Sequence, residues 1–397
     1  MHTHHSALGV AATLRPVQPV TLVRPHAARR AARFFVEKFP GTSMYAVKAN
    51  PSPELLRELW AGGITHYDVA SIAEVRLVRQ TLGDAATLCF MHPVKAEEAI
   101  AEAYLDHGVR TFSLDSREEL DKIVRATNGA TDLTLCVRLR VSSDYSKLSL
   151  ASKFGVGVDE APALLLATRQ VADALGICFH VGSQAMTPHA YGNALERVRA
   201  AIVAAAVTVD VVDVGGGFPS VYPGMEPTDL EHYFDTIHRG FESLPISYSA
   251  ELWAEPGRAL CAEYSSVLVR VEKRRDDVLY INDGAYGSLF DAAHVAWRFP
   301  VKLVREKESA ARPLNFSFYG PTCDDMDHMA GPFALPADVQ AGDYIEVGML
   351  GAYGAAMRTG FNGFTAGDTV TVTDEPMASL YMPAEQPSTV VEIARKL

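Results

Sequence analysis

Met44-Tyr45-Ala46-Val47-Lys48 is the stretch that decides the fold, because a short apolar run ends there in a residue capable of chemistry. Seven further runs end in the same way. The eight runs and the residues that follow them are Met44–Val47 with Lys48, Ile64–Tyr67 with Asp68, Leu88–Met91 with His92, Thr111–Leu114 with Asp115, Leu133–Leu139 with Arg140, Ile177–Phe179 with His180, Val209–Val214 with Gly215-Gly216-Gly217, and Tyr248–Ala254 with Glu255. Helix-like segments separate most of them, so the pattern predicts a (β/α)8 TIM-type barrel with its active site at the strand C-termini.

The pattern changes after about residue 264. Ser265–Glu272 and Val278–Asn282 alternate in hydrophobicity around Lys273–Asp277, which predicts a hairpin. Further short strands are predicted at Val301–Arg305, Leu314–Tyr319, Tyr344–Val347 and Thr369–Thr373, with Val17–Val23 joining them from the N-terminal side. We therefore predict a barrel over residues 24–264 and an antiparallel β domain formed by residues 1–23 and 265–397.

Two local interpretations depend on composition rather than on strand pattern. The alanine-rich segments Asp159–Leu175 and Pro188–Ala206 are predicted as long helices. The three histidines within Met1–His5 are interpreted as part of a disordered tail, and no metal site is expected there.

Composition and charge narrow the function classes. The net charge of −12 argues against nucleic acid or an anionic membrane as the main partner and favours a small cationic ligand. No apolar run approaches the ~18 residues of a membrane-spanning helix. The five cysteines are irregularly spaced and include no CxxC pair, so neither a disulfide framework nor a zinc site is indicated. A reducing, cytoplasmic location fits this cysteine usage.

Lys48 and the glycine triplet Gly215–Gly217 carry the strongest chemical signals. A lysine at the end of a buried strand is either a Schiff-base lysine in a partly desolvated pocket or a barrel-mouth lysine paired with Asp68. Three consecutive glycines leave bare backbone that can approach a phosphate, and Gly257 and Arg258 follow the eighth run nearby. The alternative is a tight turn beside a surface arginine. No GxGxxG follows the first strand, so this is not a nicotinamide-type loop.

Other candidate residues have a structural alternative beside the functional one. Glu255 could bind a pyridinium N–H or be an ordinary carboxylate at the barrel rim, and His180 could stack on a flat ring or be a core histidine. Cys323 lies in an acidic loop as either an incidental thiol or a proton donor. Asp291 could bind an ammonium group or cap Ala292–Trp297, while Glu74 completes a capping box with Ser71.

Taken together, these motifs resemble the family of pyridoxal-phosphate decarboxylases that have an alanine-racemase-type barrel, and within it the ornithine/lysine branch. The resemblance runs from about Met44 to Phe364. Its anchors, in chain order, are Tyr45-Ala46-Val47-Lys48-Ala49-Asn50, Tyr67-Asp68-Val69-Ala70-Ser71, His180-Val181-Gly182-Ser183, Asp213-Val214-Gly215-Gly216-Gly217-Phe218-Pro219, Ala254-Glu255-Pro256-Gly257-Arg258, Gly320-Pro321-Thr322-Cys323-Asp324, and Gly351-Ala352-Tyr353 with Phe361-Asn362-Gly363-Phe364.

The resemblance implies a role for each matching residue. Lys48 would hold pyridoxal 5'-phosphate covalently, Glu255 would pair with the ring nitrogen, and His180 would stack on the ring. The remaining cofactor-binding residues would be Asp68, Arg140, Ser183, Gly215, Gly216, Gly217, Gly257, Arg258 and Tyr353. Cys323 would deliver the proton after carbon dioxide leaves. Asp291, Asp324 and Phe361 would contact the substrate, and Cys323, Asp324 and Phe361 would complete the partner's site in a head-to-tail homodimer.

The choice of substrate within the family stays open in the sequence. Members that act on diaminopimelate usually carry Cys-Glu where this chain has Cys323-Asp324, and Gln184 after Ser183 favours a bacterial-type branch. We therefore expect an L-ornithine decarboxylase that makes putrescine for polyamine synthesis. The alternatives are dual lysine/ornithine specificity, a diaminopimelate decarboxylase, a racemase on the same barrel, and a catalytically inactive regulatory homologue.

Overall fold

The computed structural model describes residues 3–142 and 144–381 of the chain. These residues divide into two compact units. One unit, the barrel unit, contains Ala32–Pro219 and Pro227–Leu260. The other, the sheet unit, contains the chain up to Ala31, the segment Ser220–Glu226 and the chain from Cys261 onward. No helix within the described residues combines the length and the apolar character that crossing a bilayer requires.

The barrel unit holds a closed barrel of eight parallel strands, as the sequence predicts. The strands are Thr42–Ala46, His66–Val69, Thr87–Phe90, Thr111–Leu114, Thr134–Arg138, Ala174–Cys178, Val211–Asp213 and Glu251–Ala254. Each strand pairs with its neighbour in chain order, and the eighth closes onto the first through the pairs Trp253 with Thr42 and Ala254 with Ser43. The helices that accompany the strands are Pro25–Lys38, Pro53–Ala61, Ile72–Leu82, Glu97–Leu105, Arg117–Ala126, Ala161–Arg169, His189–Ala205 and Leu230–Glu242.

Alternation along the strands determines which side chains enter the barrel. A buried cluster inside it contains Met44, Cys89, Met91, Cys136, Cys178, Val211 and Trp253. Because successive side chains of a strand point to opposite faces, residues two positions further along point to the same interior, at its C-terminal end. Arg138, His180, Asp213 and Glu255 stand two residues beyond Cys136, Cys178, Val211 and Trp253, respectively. The strand pattern thus carries these four polar side chains to one mouth of the barrel.

The helix predicted at Asp159–Leu175 is too long. The helix is Ala161–Arg169, and the sixth barrel strand begins at Ala174. The Asp173 and Ala174 N–H groups donate to the Leu133 carbonyl, and the Leu175 N–H donates to the Asp210 carboxylate. These contacts with neighbouring strands outweigh the helix propensity of Ala172 and Ala174.

The sheet unit contains a nine-stranded sheet. Its strands are Thr3–His4, Val20–Val23, Ser265–Arg275, Val278–Ile281, Val301–Val304, Pro313–Tyr319, His328–Pro336, Tyr344–Val347 and Thr369–Val372. The predicted hairpin is present but tighter, because Arg275 pairs with Val278 across a two-residue turn. The predicted N-terminal strand also joins this sheet, where Val20–Val23 runs antiparallel to Ser265–Leu268 and parallel to Thr369–Thr371.

The disordered tail predicted for the N-terminus is wrong for the described residues. Thr3–His4 forms a short strand beside Thr371 and Val372, and the His5 ring lies 3.2 Å from the Thr373 hydroxyl. The helix Ala7–Leu14 follows and buries Val10 and Ala11 in the same core cluster as Leu22 and Leu268. A two-residue strand shows no alternation in the sequence, so pairing with a segment more than 360 residues away could not be read locally. The segment also contains Met1 and His2, which lie outside the described residues.

Candidate active site

Lys48 and Asp68 form an ion pair at the mouth of the barrel. Lys48 lies in the short 3-10 turn Val47–Ala49, directly after the first strand, and its Nζ donates to Asp68 Oδ2 at 2.5 Å. Asp68 is buried, whereas the Lys48 side chain keeps 39% of its surface exposed and is therefore reachable by a small molecule. The second carboxylate oxygen of Asp68, Oδ1, is buried and has no hydrogen-bond partner among the described residues. Such an oxygen is suited to a further donor or cation.

Asp213 and Glu255 add a second buried acidic pair. Their carboxyl groups share a hydrogen bond, and Asp213 Oδ1 also accepts the Gly215 N–H at 2.9 Å. Burial raises the pKa of Asp213 to about 6. Burial, followed by the charges of Asp213 and Asp68, raises the pKa of Glu255 well above its ordinary value. A protein that places three carboxyl groups together in its interior needs positive charge there, and Lys48 and Arg138 leave the pKa values of Asp213 and Glu255 raised.

The glycine triplet packs directly against these acidic residues. The Glu255 N–H donates to the Gly215 carbonyl at 2.9 Å. A Cβ on Gly216 would stand 2.7 Å from the Glu255 carbonyl oxygen and 3.0 Å from His180 Nε2, so no larger residue fits. Gly217 has φ of +105°, which side chains rarely tolerate. The backbone here is bare because the packing and the conformation both require glycine.

His180 carries a neutral ring beside the triplet. Its Nδ1 accepts the Gly182 N–H at 3.0 Å, which assigns the ring proton to Nε2. Burial lowers the pKa of His180 well below its ordinary value, and the charges of Arg138 and Lys48 lower it further. An uncharged imidazole held in this way can lie against a flat aromatic ring without placing another cation in the site.

The eighth strand connects the glycine triplet to the turn that carries Lys48. The Ala46 N–H donates to the Pro256 carbonyl at 3.2 Å. A Cβ on Gly257 would lie 3.1 Å from that of Ala49 and 3.2 Å from that of Ala46. Arg258, which follows, is only 4% exposed. The amine of Lys48 and the bare backbone at Gly216 therefore lie on the same side of the barrel, on either side of the Glu255–Gly257 segment.

Ser183 is attached to the triplet through its own short strand. Ser183–Ala185 pairs antiparallel with Ser146–Leu148, and the Ala185 N–H donates to the Gly217 carbonyl at 2.9 Å. The predicted segment from His180 to Ser183 therefore runs alongside the triplet.

The structure brings Arg138 to the barrel mouth and leaves the Arg140 side chain exposed, and cofactor binding by Arg140 stays a prediction. The fifth strand ends at Arg138. The positive charge of Arg138 adds to the effect of burial in lowering the pKa of His180, and it opposes the rise that burial causes in the pKa of Asp213. The Arg140 side chain is exposed, and its N–H donates to the Val156 carbonyl as the chain turns away from the barrel. Arg138 and Arg140 are two positions apart, so the alternation of a strand would point both side chains to the same face and could not distinguish them. Asp213 was named only within a motif, although an aspartate inside an apolar strand is itself a signal.

The sheet unit gathers Cys323, Asp324 and Phe361 around Tyr286. The Tyr286 hydroxyl donates to the Asp324 carboxylate, and this hydrogen bond holds the pKa of Asp324 below its ordinary value. The Tyr286 ring lies 4.8 Å from that of Phe361. Cys323 is exposed, and its N–H donates to the Asn362 side chain at 3.1 Å. Tyr286 is a residue that the sequence reasoning missed, and no pattern around it identifies it.

Asp291 and Tyr353 also belong to the sheet unit. Asp291 is partly buried in the first turn of the helix Phe290–His294, and Leu289 occupies the N-cap position. The capping interpretation of Asp291 is therefore wrong. Tyr353 has φ of +59° and directly precedes the short helix Gly354–Met357.

Comparison with known proteins agrees with this geometry. The profile of the pyridoxal-dependent decarboxylase pyridoxal binding domain matches residues 26–262, and that of the C-terminal sheet domain of the same enzymes matches residues 260–351. The chain belongs to the pyridoxal-dependent decarboxylase family.

Individual relatives differ in their substrates. A lysine/ornithine decarboxylase of Selenomonas ruminantium is 33% identical over 84% of both chains. An ornithine decarboxylase of Cricetulus griseus is 30% identical over 87% of this chain and 78% of its own. The arginine decarboxylase of Paramecium bursaria Chlorella virus, solved with agmatine, superposes with a TM-score of 0.81 at 27% identity, covering 91% of this chain and 98% of its own. The protein is thus a pyridoxal-phosphate-dependent decarboxylase of basic amino acids.

The residues at the barrel mouth fit this cofactor. A pyridinium would add positive charge beside Asp213 and Glu255, whose pKa values stay raised despite the charges of Arg138 and Lys48, and the amine of Lys48 is exposed enough to react with an aldehyde. The bare backbone at Gly216 and the buried guanidinium of Arg258 suit a phosphate.

Proposed function

We propose that the protein decarboxylates L-ornithine to putrescine and carbon dioxide. The observation that carries the proposal is the presence, in one barrel mouth, of the Lys48–Asp68 pair, the Asp213–Glu255 pair and the bare backbone at Gly216. Ornithine is chosen among basic amino acids because ornithine and lysine/ornithine enzymes are among the relatives, and because Asp324 is one methylene shorter than the glutamate expected for diaminopimelate enzymes.

In this proposal the barrel residues bind and orient the cofactor. Lys48 offers the amine with which the aldehyde of the cofactor would react, and Asp68 holds that amine in place. Glu255 would keep the ring nitrogen protonated, and the neutral His180 would hold the ring. The residues that would hold the phosphate are Ser183, Gly215, Gly216, Gly217, Gly257, Arg258 and Tyr353. When bound, pyridoxal phosphate supplies an electron sink for the pair of electrons that remains when carbon dioxide departs.

The loop at Cys323 supplies the substrate contacts and the proton. Asp324 is ionised, because the hydrogen bond from Tyr286 favours its carboxylate, and it is therefore ready to bind the distal ammonium together with Asp291. The Cys323 thiol is exposed and can deliver its proton to the carbon that carbon dioxide has left. Phe361 lies against Tyr286 and forms one wall of the substrate site.

We also propose that the active enzyme is a homodimer in which Cys323, Asp324 and Phe361 complete the partner's site. Support comes from large apolar side chains left exposed near that loop, where Met326 is 60%, Phe364 is 46% and Phe361 is 42% exposed. Mixing inactive Lys48→Ala chains with Cys323→Ala chains, which by themselves form aldehyde beside the amine, should restore aldehyde-free putrescine formation, because half of randomly exchanged dimers would hold one intact site. About a quarter of wild-type activity is expected. No recovery after verified subunit exchange would contradict shared sites.

A reducing compartment is part of the same proposal. The five cysteines of the chain are free, and Cys323 is exposed. A proton-donating thiol has to stay reduced, so we propose that the enzyme works in the cytoplasm.

Steady-state assays of carbon dioxide release test the substrate assignment. Ornithine, lysine, arginine and diaminopimelate should be compared by kcat/KM with the same holoenzyme. One methylene in a binding site is worth about tenfold to 200-fold, so ornithine should lead and lysine should follow within that range. A higher kcat/KM for arginine or diaminopimelate would refute the proposal. Equal values for lysine and ornithine would instead establish the dual specificity that the Selenomonas relative's name describes.

A further inference from the structure

Each carbonyl of the glycine triplet is held by a donor from another segment. The Glu255 N–H donates to the Gly215 carbonyl and the Ala185 N–H to the Gly217 carbonyl, each at 2.9 Å. The Tyr191 hydroxyl donates to the Gly216 carbonyl at 3.0 Å. The first two donors are backbone groups. Tyr191 is thus the side chain among these three donors, and its bond can be removed by substitution.

The hydrogen bond to the Gly216 carbonyl fixes the orientation of a whole peptide plane. In a trans peptide the carbonyl and the following N–H point in opposite directions. Holding the Gly216 carbonyl toward Tyr191 therefore directs the Gly217 N–H away from Tyr191. By the same geometry, the hydrogen bond from the Glu255 N–H to the Gly215 carbonyl directs the Gly216 N–H away from the Glu255 N–H. Consecutive backbone N–H groups with fixed directions form a concave anion site. Without Tyr191, this plane could rotate more freely, because glycine imposes little restriction of its own.

The surroundings of Tyr191 keep its hydroxyl in one place. Tyr191 is fully buried on the helix His189–Ala205, and its ring stacks on Phe218 with centroids 5.1 Å apart. The ring also meets that of Tyr233 edge-on at 6.2 Å. A hydroxyl on a ring packed in this way gives a preorganised hydrogen bond.

We propose that Tyr191 is a positioning residue for the cofactor phosphate, whose hydroxyl fixes the Gly216–Gly217 peptide plane and thereby directs the Gly217 N–H toward the anion. The inference rests on the proposed function, which assigns the phosphate to the glycine triplet. It predicts an effect on the phosphate specifically, because the Tyr191 hydroxyl donates to the triplet, which is the proposed phosphate site.

Titration of the apoenzyme with pyridoxal 5'-phosphate and with pyridoxal, which lacks the phosphate, separates these effects. In Tyr191→Phe the dissociation constant for pyridoxal phosphate should rise about three- to tenfold, as expected for one buried hydrogen bond, and that for pyridoxal should stay the same. The 31P chemical shift of the bound cofactor should also move. Equal weakening of both ligands would show a general structural role, and unchanged affinity for both would show no role. Either result overturns the inference.

Tyr67→Phe provides the matched control. Tyr67 is also fully buried in the barrel unit, and its hydroxyl donates to the Ile64 carbonyl at 3.1 Å, away from the triplet. This variant should leave both dissociation constants unchanged. If Tyr191→Phe does not fold, 4-fluorophenylalanine at position 191 keeps the ring size without a donor and carries the same expectation. Gly216→Ala tests the proposed phosphate site itself, and unchanged pyridoxal phosphate affinity there would refute that site. Weakened affinity in Gly216→Ala together with unchanged affinity in Tyr191→Phe would refute only the positioning role.

Discussion

Replacing Asp213 with asparagine should stabilise the apoenzyme at alkaline pH. Burial raises the pKa of this carboxyl from 3.8 to about 6, so the folded chain binds more protons than the unfolded chain between these values. The free energy of unfolding therefore falls as the pH rises through this window. A rise of about two in pKa corresponds to roughly 3 kcal/mol at pH 8, of which about half remains at pH 5. Asparagine stays neutral and can still accept the Gly215 N–H, so it avoids most of this cost.

Urea unfolding of the cofactor-free protein at pH 5 and pH 8 measures the effect. The wild type should be more stable at pH 5 by roughly 1 kcal/mol through this carboxyl. Asp213→Asn should lose that contribution and gain up to about 3 kcal/mol at pH 8, while Glu255, whose pKa burial also raises, keeps its own contribution to the pH dependence. Asp173→Asn, at an exposed aspartate of the same unit, should leave the pH dependence unchanged. An Asp213→Asn apoenzyme no more stable than wild type at pH 8 would refute the reasoning that the buried acidic pair is a cost in the absence of a cation.

Three further substitutions test separate parts of the account. Cys323→Ala should retain cofactor but misdirect the proton, so that an aldehyde formed by transamination appears beside the amine. Unchanged ratios of amine to aldehyde, measured by chromatography, would show that another residue donates the proton. Arg138→Met should reduce kcat/KM at least tenfold, because the positive charge of Arg138 acts on His180 and Asp213. Arg140→Met should not reduce kcat/KM in this way, and the reverse result in steady-state assays would favour Arg140 as the cofactor-binding arginine. Gly176→Ala would place a Cβ 2.3 Å from Cys136 Sγ, and this overlap should lower the free energy of unfolding, measured in urea, by about 1–3 kcal/mol. Adding Cys136→Ala should recover part of that loss, and no recovery would contradict the overlap.

Much of the barrel mouth could be predicted because strand C-termini meet on one face. Lys48 follows the first strand and Asp68 lies near the C-terminal end of the neighbouring second strand, so their ion pair is a consequence of parallel order and is one of the two interpretations that the sequence offers for Lys48. The glycine triplet is equally local, since its packing against Glu255 follows from the neighbouring seventh and eighth strands.

What could not be predicted depends on contacts between distant segments. Arg138 ends the fifth strand, whereas Arg140 lies beyond it, and the backbone of the distant Val156 hydrogen-bonds to both residues. The pairing of Tyr286 with Asp324 joins residues 38 positions apart, without periodicity to reveal it. The strand Thr3–His4 is too short to show a pattern and exists because a strand edge near the opposite end of the sequence accepts it.

The most direct test of the central claim is borohydride reduction of the holoenzyme followed by peptide mass spectrometry. We expect one pyridoxyl-phosphate adduct per chain, on Lys48, and none in Lys48→Ala, while Lys302→Ala at an exposed site keeps the adduct on Lys48. An adduct on another lysine of the wild-type enzyme, or no adduct in a preparation that decarboxylates ornithine, would contradict the assignment of Lys48 as the residue that holds the cofactor.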